Sequence, residues 1–324
     1  MQNILYNIFV NLYMRQIYFL ILFIVISYPL FSQEIDMISE EKKLEKLLTD
    51  LRLAKNNDEK IKRNELLKTE MRRVLKYKEA LSYPFLKLTT IGFVNSPDNQ
   101  IRIINWNVEK DDLDQIYTAF VIHTDKRRKK LHLTELKDNS LPLSPIPKGV
   151  ISNDNWYGAL YYKIIPVKKG IKNYYTILGW DYYTPISQMK IIDVIYFNGK
   201  NVRLGSPIFK CGKKTKNRVL FEHSKKTSMS LKYEENPNRI IFDHLSPESP
   251  GLSKFRSFYV PDMSYDGFTF NKGKWTLNED IIGVNKSNNS DKKYIYIMNK
   301  KTGKLERKKV KLKWLNPEDS NTPN

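Results

Sequence analysis

The chain has 324 residues and a single cysteine, Cys211. One thiol forms no intramolecular disulfide, so even in an oxidising compartment the fold rests on an ordinary apolar core. Histidine is almost as scarce. His123, His132, His223 and His244 are the four present; no two stand at metal-ligand spacing and there is no HExxH pattern, which argues against a zinc centre. There is no Gly-x-Ser-x-Gly elbow, and Cys211 has only Lys210, Lys213 and Lys214 beside it to activate a thiolate, so it reads as incidental. No cofactor is implied.

Long apolar runs are limited to one. Residues 17–26 are apolar throughout, with Arg15 ahead of them and Pro29 and Ser32 behind. That is the order of an export signal: charge, short apolar core, helix breaker, small residue. The expectation is a signal peptide over residues 1–32, cut after Ser32 to leave Gln33 first. Residues 1–13 carry no charge, so a start at Met14 would set Arg15 directly before the apolar core. An uncleaved anchor is the alternative, but a spanning helix needs about 20 apolar residues. Lipid attachment at the cut is excluded, because Gln33 is not a cysteine. The protein is thus expected in the periplasm or outside the cell, touching membrane only through an uncleaved signal.

Acidic residues are also in deficit, 35 against 55 lysines and arginines, for a net charge of +20. Such a balance invites an anionic partner. However, 42 of the basic residues are lysines and 13 are arginines, whereas phosphate recognition favours the bidentate guanidinium. An exported chain also meets little nucleic acid, so none is expected as a partner. The candidate anion-binding residues are Lys126, Arg127, Arg128, Lys308 and Lys309, in clusters at 126–130 and 300–313. The competing reading is a solvated lysine surface.

Beyond residue 36 the patterning changes twice. Residues 37–82 read as a helical hairpin or one kinked helix. Ser39 is placed to cap it, Leu44, Leu47, Leu48 and Leu51 form one stripe, Asn56–Asp58 a break, and Leu67, Met71, Val74 and Leu75 a second stripe. Residues 85–315 read as an antiparallel β domain of fourteen to sixteen short strands. Its hairpin turns are marked at Ser96-Pro97-Asp98-Asn99, Lys168-Lys169-Gly170, Asn198-Gly199, Asn236-Pro237-Asn238, Asn271-Lys272-Gly273 and Thr302-Gly303. The first strands expected are 88–94 and 101–108. In the latter, Ile101 and Ile103 face opposite to Ile104 and Trp106. Ile191-Ile192-Asp193-Val194-Ile195 is apolar on both sides and belongs at a sheet centre. A proline-rich stretch within 139–150 marks a possible internal boundary, and 316–324 reads as a disordered tail. The fold class is therefore mainly β, an antiparallel meander forming a sandwich or curled sheet preceded by a short α-helical hairpin. A small, irregular β-propeller is the alternative, disfavoured because no fixed-period repeat is visible.

Several segments carry a family resemblance. They are Trp156-Tyr157-Gly158-Ala159-Leu160-Tyr161-Tyr162, Tyr175-Thr176-Ile177-Leu178-Gly179-Trp180-Asp181, Gly205-Ser206-Pro207-Ile208-Phe209, Ile241-Phe242-Asp243-His244-Leu245 and Pro261-Asp262-Met263-Ser264-Tyr265-Asp266. Together these resemble a family of uncharacterised exported proteins of Bacteroidota, and the Leu30-Phe31-Ser32-Gln33 junction is similar to signal cleavage sites of that group. The resemblance implies export and no particular activity.

The site candidates are acidic. Asp243 and His244 end one expected strand, and Asp262, Ser264 and Asp266 fall in a segment read as turn-rich, where Asp and Ser also serve simply to bond their own backbone. Asp243, His244, Asp262 and Asp266 are the catalytic candidates, as acid and base groups. Asp262 and Asp266, four apart, are candidates for calcium. Trp156, Trp180 and Trp275 lie in apolar strands and read as core residues. Three functions fit: a non-enzymatic periplasmic or secreted binding or scaffold protein, partnered by a cell-envelope glycan or another envelope protein; a cell-envelope or polysaccharide hydrolase using the Asp-rich site; or an electrostatic binder of anionic envelope polymers. One pocket shared by Asp243, His244, Asp262 and Asp266 would favour the second.

Overall fold

The computed structural model describes residues 14–15, 35–125, 130–139, 146–281, 294–298 and 305–309. Helices α1 (Met37–Arg52) and α2 (Asn57–Val74) form the expected hairpin. Its first cap differs from the expectation. Asp36, not Ser39, caps α1, its Oδ1 accepting the Ile38 N–H at 3.0 Å. The helix therefore starts at Met37, three residues before a Ser39 cap would start it, and Met37 is buried. Asn56 caps α2 by accepting the Glu59 N–H at 2.9 Å, and the Glu59 carboxylate reaches back to the Lys55 N–H at 3.1 Å. These contacts satisfy amides that a helix start leaves open.

The chain is mainly β, in antiparallel sheets that close no barrel. The first sheet is a meander of β1 (Gly92–Asn95), β2 (Ile101–Glu109), β3 (Gln115–Asp125) and β4 (Lys130–Leu136). β1 is shorter than the strand expected at 88–94; Phe85 and Leu88 are core residues carried on turns. The middle sheet runs β5 (Ile151–Ser152), β9 (Asn201–Leu204), β8 (Ser187–Asn198), β7 (Lys172–Asp181) and β6 (Leu160–Lys169), and β12 (Val219–Ser224) also pairs with β8. The third sheet has the order β11 (Lys214–Lys216), β10 (Phe209–Cys211), β16 (Lys274–Asn278), β15 (Tyr259–Asn271), β14 (Arg239–Pro247) and β13 (Leu231–Glu234). A separate hairpin pairs β17 (Tyr294–Met298) with β18 (Leu305–Lys309).

All six marked turns join strands that pair antiparallel. At Lys272 and Gly273 both φ angles are positive, 46° and 78°, the backbone a two-residue hairpin turn requires. Three pairings depart from the expected meander by joining strands that are not neighbours in sequence: β5 with β9, β12 with β8, and β10 with β16, the last of them parallel. No short turn joins any of these pairs, so none announces them.

Strand alternation then builds a stack. Ile104, Trp106 and Phe120 pack on Leu44, Leu67 and Met71 of the helices. The opposite face of the first sheet, with Ile101, Ile103 and Val121, meets Ile164, Ile177 and Ile191 of the middle sheet. The middle sheet's other face, with Leu178, Ile192 and Val194, meets Phe242, Phe268 and Trp275 of the third. The layers are thus helices, sheet, sheet, sheet: two sandwiches sharing their middle sheet. Full burial of one such side chain stabilises by about 1.5–3 kcal/mol. Trp156 and Trp275 are wholly buried, as expected of core residues, while Trp180 is half-buried.

Two carboxylates are taken into this stack. Asp193 of β8 accepts from Arg218 Nε at 3.0 Å, the Tyr157 hydroxyl at 2.8 Å and the Val194 N–H at 2.7 Å. Arg218 also donates to the carbonyls of Pro147 and Gly149, tying the chain before β5 to the middle sheet. Gly205, at φ 89°, makes room for it, since a Cβ there would lie 2.8 Å from Arg218 Nη2. Asp181 of β7 accepts from the Tyr117 hydroxyl of β3 at 2.9 Å and from the Tyr183 N–H at 3.0 Å.

Candidate functional site

The site lies where β12 of the middle sheet faces β14 and β15 of the third. A cleft of about 560 Å³ opens there, within the roughly 300–1,000 Å³ of small-ligand sites. Its apolar wall includes Met189, Val219, Phe221, Phe242, Phe268 and Leu277. Around it stand Lys216, Glu222, Asp243, His244, Arg256, Asp266 and Glu279, with Cys211 of β10 on one side. Burial pushes the Cys211 thiol up from its ordinary value.

Asp243, His244 and Asp266 therefore line one cleft, and Asp262 stands beside it. What brings them together is an irregularity in the β14–β15 ladder. Asp243 pairs with Tyr265 and Leu245 with Pro261, so the single residue His244 stands opposite residues 262–264. Met263 takes φ 72° and leaves its side chain 94% exposed, while Asp262 turns back toward the imidazole. The segment read as turn-rich is thus part of a thirteen-residue strand carrying a bulge. The turn-like composition near Pro261 has a local cause: Asp262 accepts the Ser264 N–H at 3.1 Å, the bond an Asx turn makes.

The imidazole is held on two sides. Its Nδ1 donates to Asp266 Oδ2 at 2.8 Å, and its Nε2 lies 3.9 Å from Asp262 Oδ2. Asp266 is buried and its other oxygen accepts the Asp280 N–H at 3.1 Å. The bond to Asp266 raises the His244 pKa above its ordinary value, with the charges of Asp266, Asp262 and Asp280 adding to it. Asp262 is held down to about 2, first by the Ser246 hydroxyl at 2.6 Å and then by the Ser264 hydroxyl at 2.7 Å. A carboxylate so bonded is a poor proton acceptor; it orients and stabilises a cationic His244. Asp243 spends Oδ2 on the Ser230 N–H at 2.7 Å. The arrangement presents a half-exposed, oriented imidazole to a partly apolar cleft, suited to binding or to proton transfer.

The calcium reading does not gain from this geometry. Asp262 and Asp266 stand on either side of His244, and among the described residues no group of three or more His, Cys, Asp or Glu side chains is placed to hold a metal ion. His123 and His132, far from any ligand spacing in sequence, face each other across β3 and β4 with ring centroids 5.0 Å apart. Burial lowers the His123 pKa to about 4, and Phe197 stacks on its ring, as in a core pair. Of the basic candidates, Lys126, Arg127 and Arg128 lie outside the described residues. Lys308 and Lys309 are on β18, opposite Ile295 and Tyr294. The expected signal peptide, apart from Met14 and Arg15, and the expected tail also lie outside the described residues.

Sequence reasoning missed Glu222, Arg256 and Glu279 as cleft residues. Each comes from a different stretch of chain, and no local pattern links them. Scans against protein-family models, curated proteins and solved structures each find no match. The reading of function therefore rests on this geometry and on the sequence.

Proposed function

We propose that the protein is exported and acts in the periplasm or outside the cell as a non-enzymatic binding protein, taking a cell-envelope ligand into the cleft around His244. Export is supported by the pattern from Arg15 to Ser32 and by the resemblance to exported proteins of Bacteroidota. The observation that carries the binding reading is the cleft itself: an apolar wall with a half-exposed imidazole fixed by Asp266 at its edge.

The test is a thermal-shift screen of soluble envelope extracts on the secreted chain and on its His244→Gln variant. A ligand at tenfold its Kd stabilises the folded state by about 1.4 kcal/mol, which raises Tm by several degrees. We expect at least one fraction to shift the wild type, with that shift lost in the variant while the variant's own Tm stays within a few degrees. A screen in which no fraction acts, or in which both proteins respond alike, would contradict the proposal.

The His244–Asp266 pair also favours a second reading, hydrolysis of an envelope polymer with His244 as acid or base. Wild-type protein that releases new chain ends from the active fraction, where His244→Gln does not, would put hydrolysis ahead of simple binding.

A further inference from the structure

The cleft carries a charge opposite to that of the chain. Lysine and arginine outnumber acids 55 to 35 overall, yet the cleft sets Glu222, Asp243, Asp266 and Glu279 against Lys216, Arg256 and the imidazole of His244, which Asp262 at its edge also faces. Elsewhere acids such as Glu135, Asp193 and Glu234 are met by lysine or arginine. Among the described residues, none of the four cleft acids has a lysine or arginine nitrogen within 4.0 Å. Arg256 is engaged on its own side, its guanidinium 4.2 Å from the Tyr259 ring centroid. The apolar part of the lining includes the rings of Phe221, Phe242 and Phe268.

We propose that the ligand is an organic ammonium ion: a protonated amine held by the cleft carboxylates, with its hydrocarbon body against the phenylalanine rings. This rests on the reading of the cleft as the ligand site and names the class of ligand it takes. An ammonium group brings three donors; Asp266 already spends both oxygens, on His244 and the Asp280 N–H, while Glu222 and Asp243 each spend one, on the Ser187 hydroxyl and the Ser230 N–H. Aromatic faces attract cations as well as hydrocarbon, and the low-dielectric walls of a cleft concentrate the field of its acids. A carboxylate or phosphate ligand would meet four acids of its own sign against Lys216, Arg256 and His244.

The experiment compares 4-phenylbutylamine, 4-phenylbutanol and 4-phenylbutyrate, near-identical in shape, by calorimetric titration of the intact secreted protein at neutral pH and low salt. The amine is expected to bind at least tenfold more tightly than the alcohol, and the carboxylate most weakly. That preference should shrink several-fold as salt rises from about 0.05 to 0.5 M, because the Debye length falls well below 10 Å. In the Glu222→Gln/Glu279→Gln double variant the amine should bind no better than the alcohol, with the alcohol unchanged. An alcohol that matches the amine, or a carboxylate that beats it, overturns the ammonium assignment and leaves the cleft standing. Failure of all three to bind also overturns it; the cleft itself is judged by the His244→Gln screen, which does not depend on the sign of the ligand.

Discussion

Replacing Arg218 with alanine is expected to cost about 3–5 kcal/mol of stability, since removing one partner of a buried ion pair leaves the other charge uncompensated. The pair is out of solvent on both sides, with side-chain exposures of 1% for Arg218 and 0% for Asp193. The Tyr157 hydroxyl and the Val194 N–H remain to Asp193, but neither carries charge. The variant also loses the ties to Pro147 and Gly149 that close the loop ahead of β5. Against a total of about 5–15 kcal/mol for a typical domain, the loss should be plain in a urea titration as a lower midpoint at unchanged slope. Adding Asp193→Asn should recover part of it, because a neutral amide is cheaper to bury than an unpaired carboxylate. A single variant within 1 kcal/mol of wild type would show that Asp193 does not depend on Arg218.

Asp181→Asn should act in the opposite direction. Burial raises the Asp181 carboxyl from 3.8 to about 6, and the bonds from Tyr183 and Tyr117 offset only part of that. The residue is 6% exposed, so little solvent screening applies. Because the folded state holds the proton more tightly than the unfolded state, Asp181 favours folding most below pH 4. That contribution is lost as pH rises through 6. Two pKa units correspond to about 3 kcal/mol. Asparagine keeps an oxygen to accept from Tyr117 and Tyr183 and has no charge to bury. The variant should therefore be more stable than wild type by up to about 3 kcal/mol at pH 7–8, with the difference closing between pH 6 and pH 4. A stability difference that does not change with pH would locate the effect elsewhere.

What could be read from the sequence was whatever is local. Each hairpin turn is encoded by residues that tolerate positive φ or bond their own backbone, so all six were visible. The two-faced burial of β2 followed from period-two alternation, with Ile101 and Ile103 in one core and Ile104 and Trp106 in the next. The run around Asp193 reads as a sheet centre, which it is, but nothing near Asp193 in sequence points to its partner Arg218, 25 residues on. The candidate site was half legible. Asp243, His244 and Asp266 read as acid and base groups in the sequence, and they share a cleft. The bulge that turns Asp262 toward His244 reads as a turn in sequence, because Asp262 bonds the backbone two residues on. Glu222 and Glu279 are brought in by packing between sheets, which no pattern in a single segment records. Residue type alone favours Ser39 as a helix cap, whereas Asp36 caps α1 and Met37, the first helical residue, is buried.

Cys211 offers the most direct measurement of whether the cleft is where ligand sits. It is the only thiol in the chain and it lies on the cleft wall. The rate of its alkylation by N-ethylmaleimide, followed by intact mass at mildly alkaline pH, should be compared with and without the envelope fraction that shifts the wild-type Tm. A ligand seated against Phe221, Phe242 and Phe268 covers the approach to Cys211, and the account predicts at least a fivefold slowing that is absent in His244→Gln. Alkylation at an unchanged rate while the Tm shift persists would place the ligand elsewhere and contradict the account.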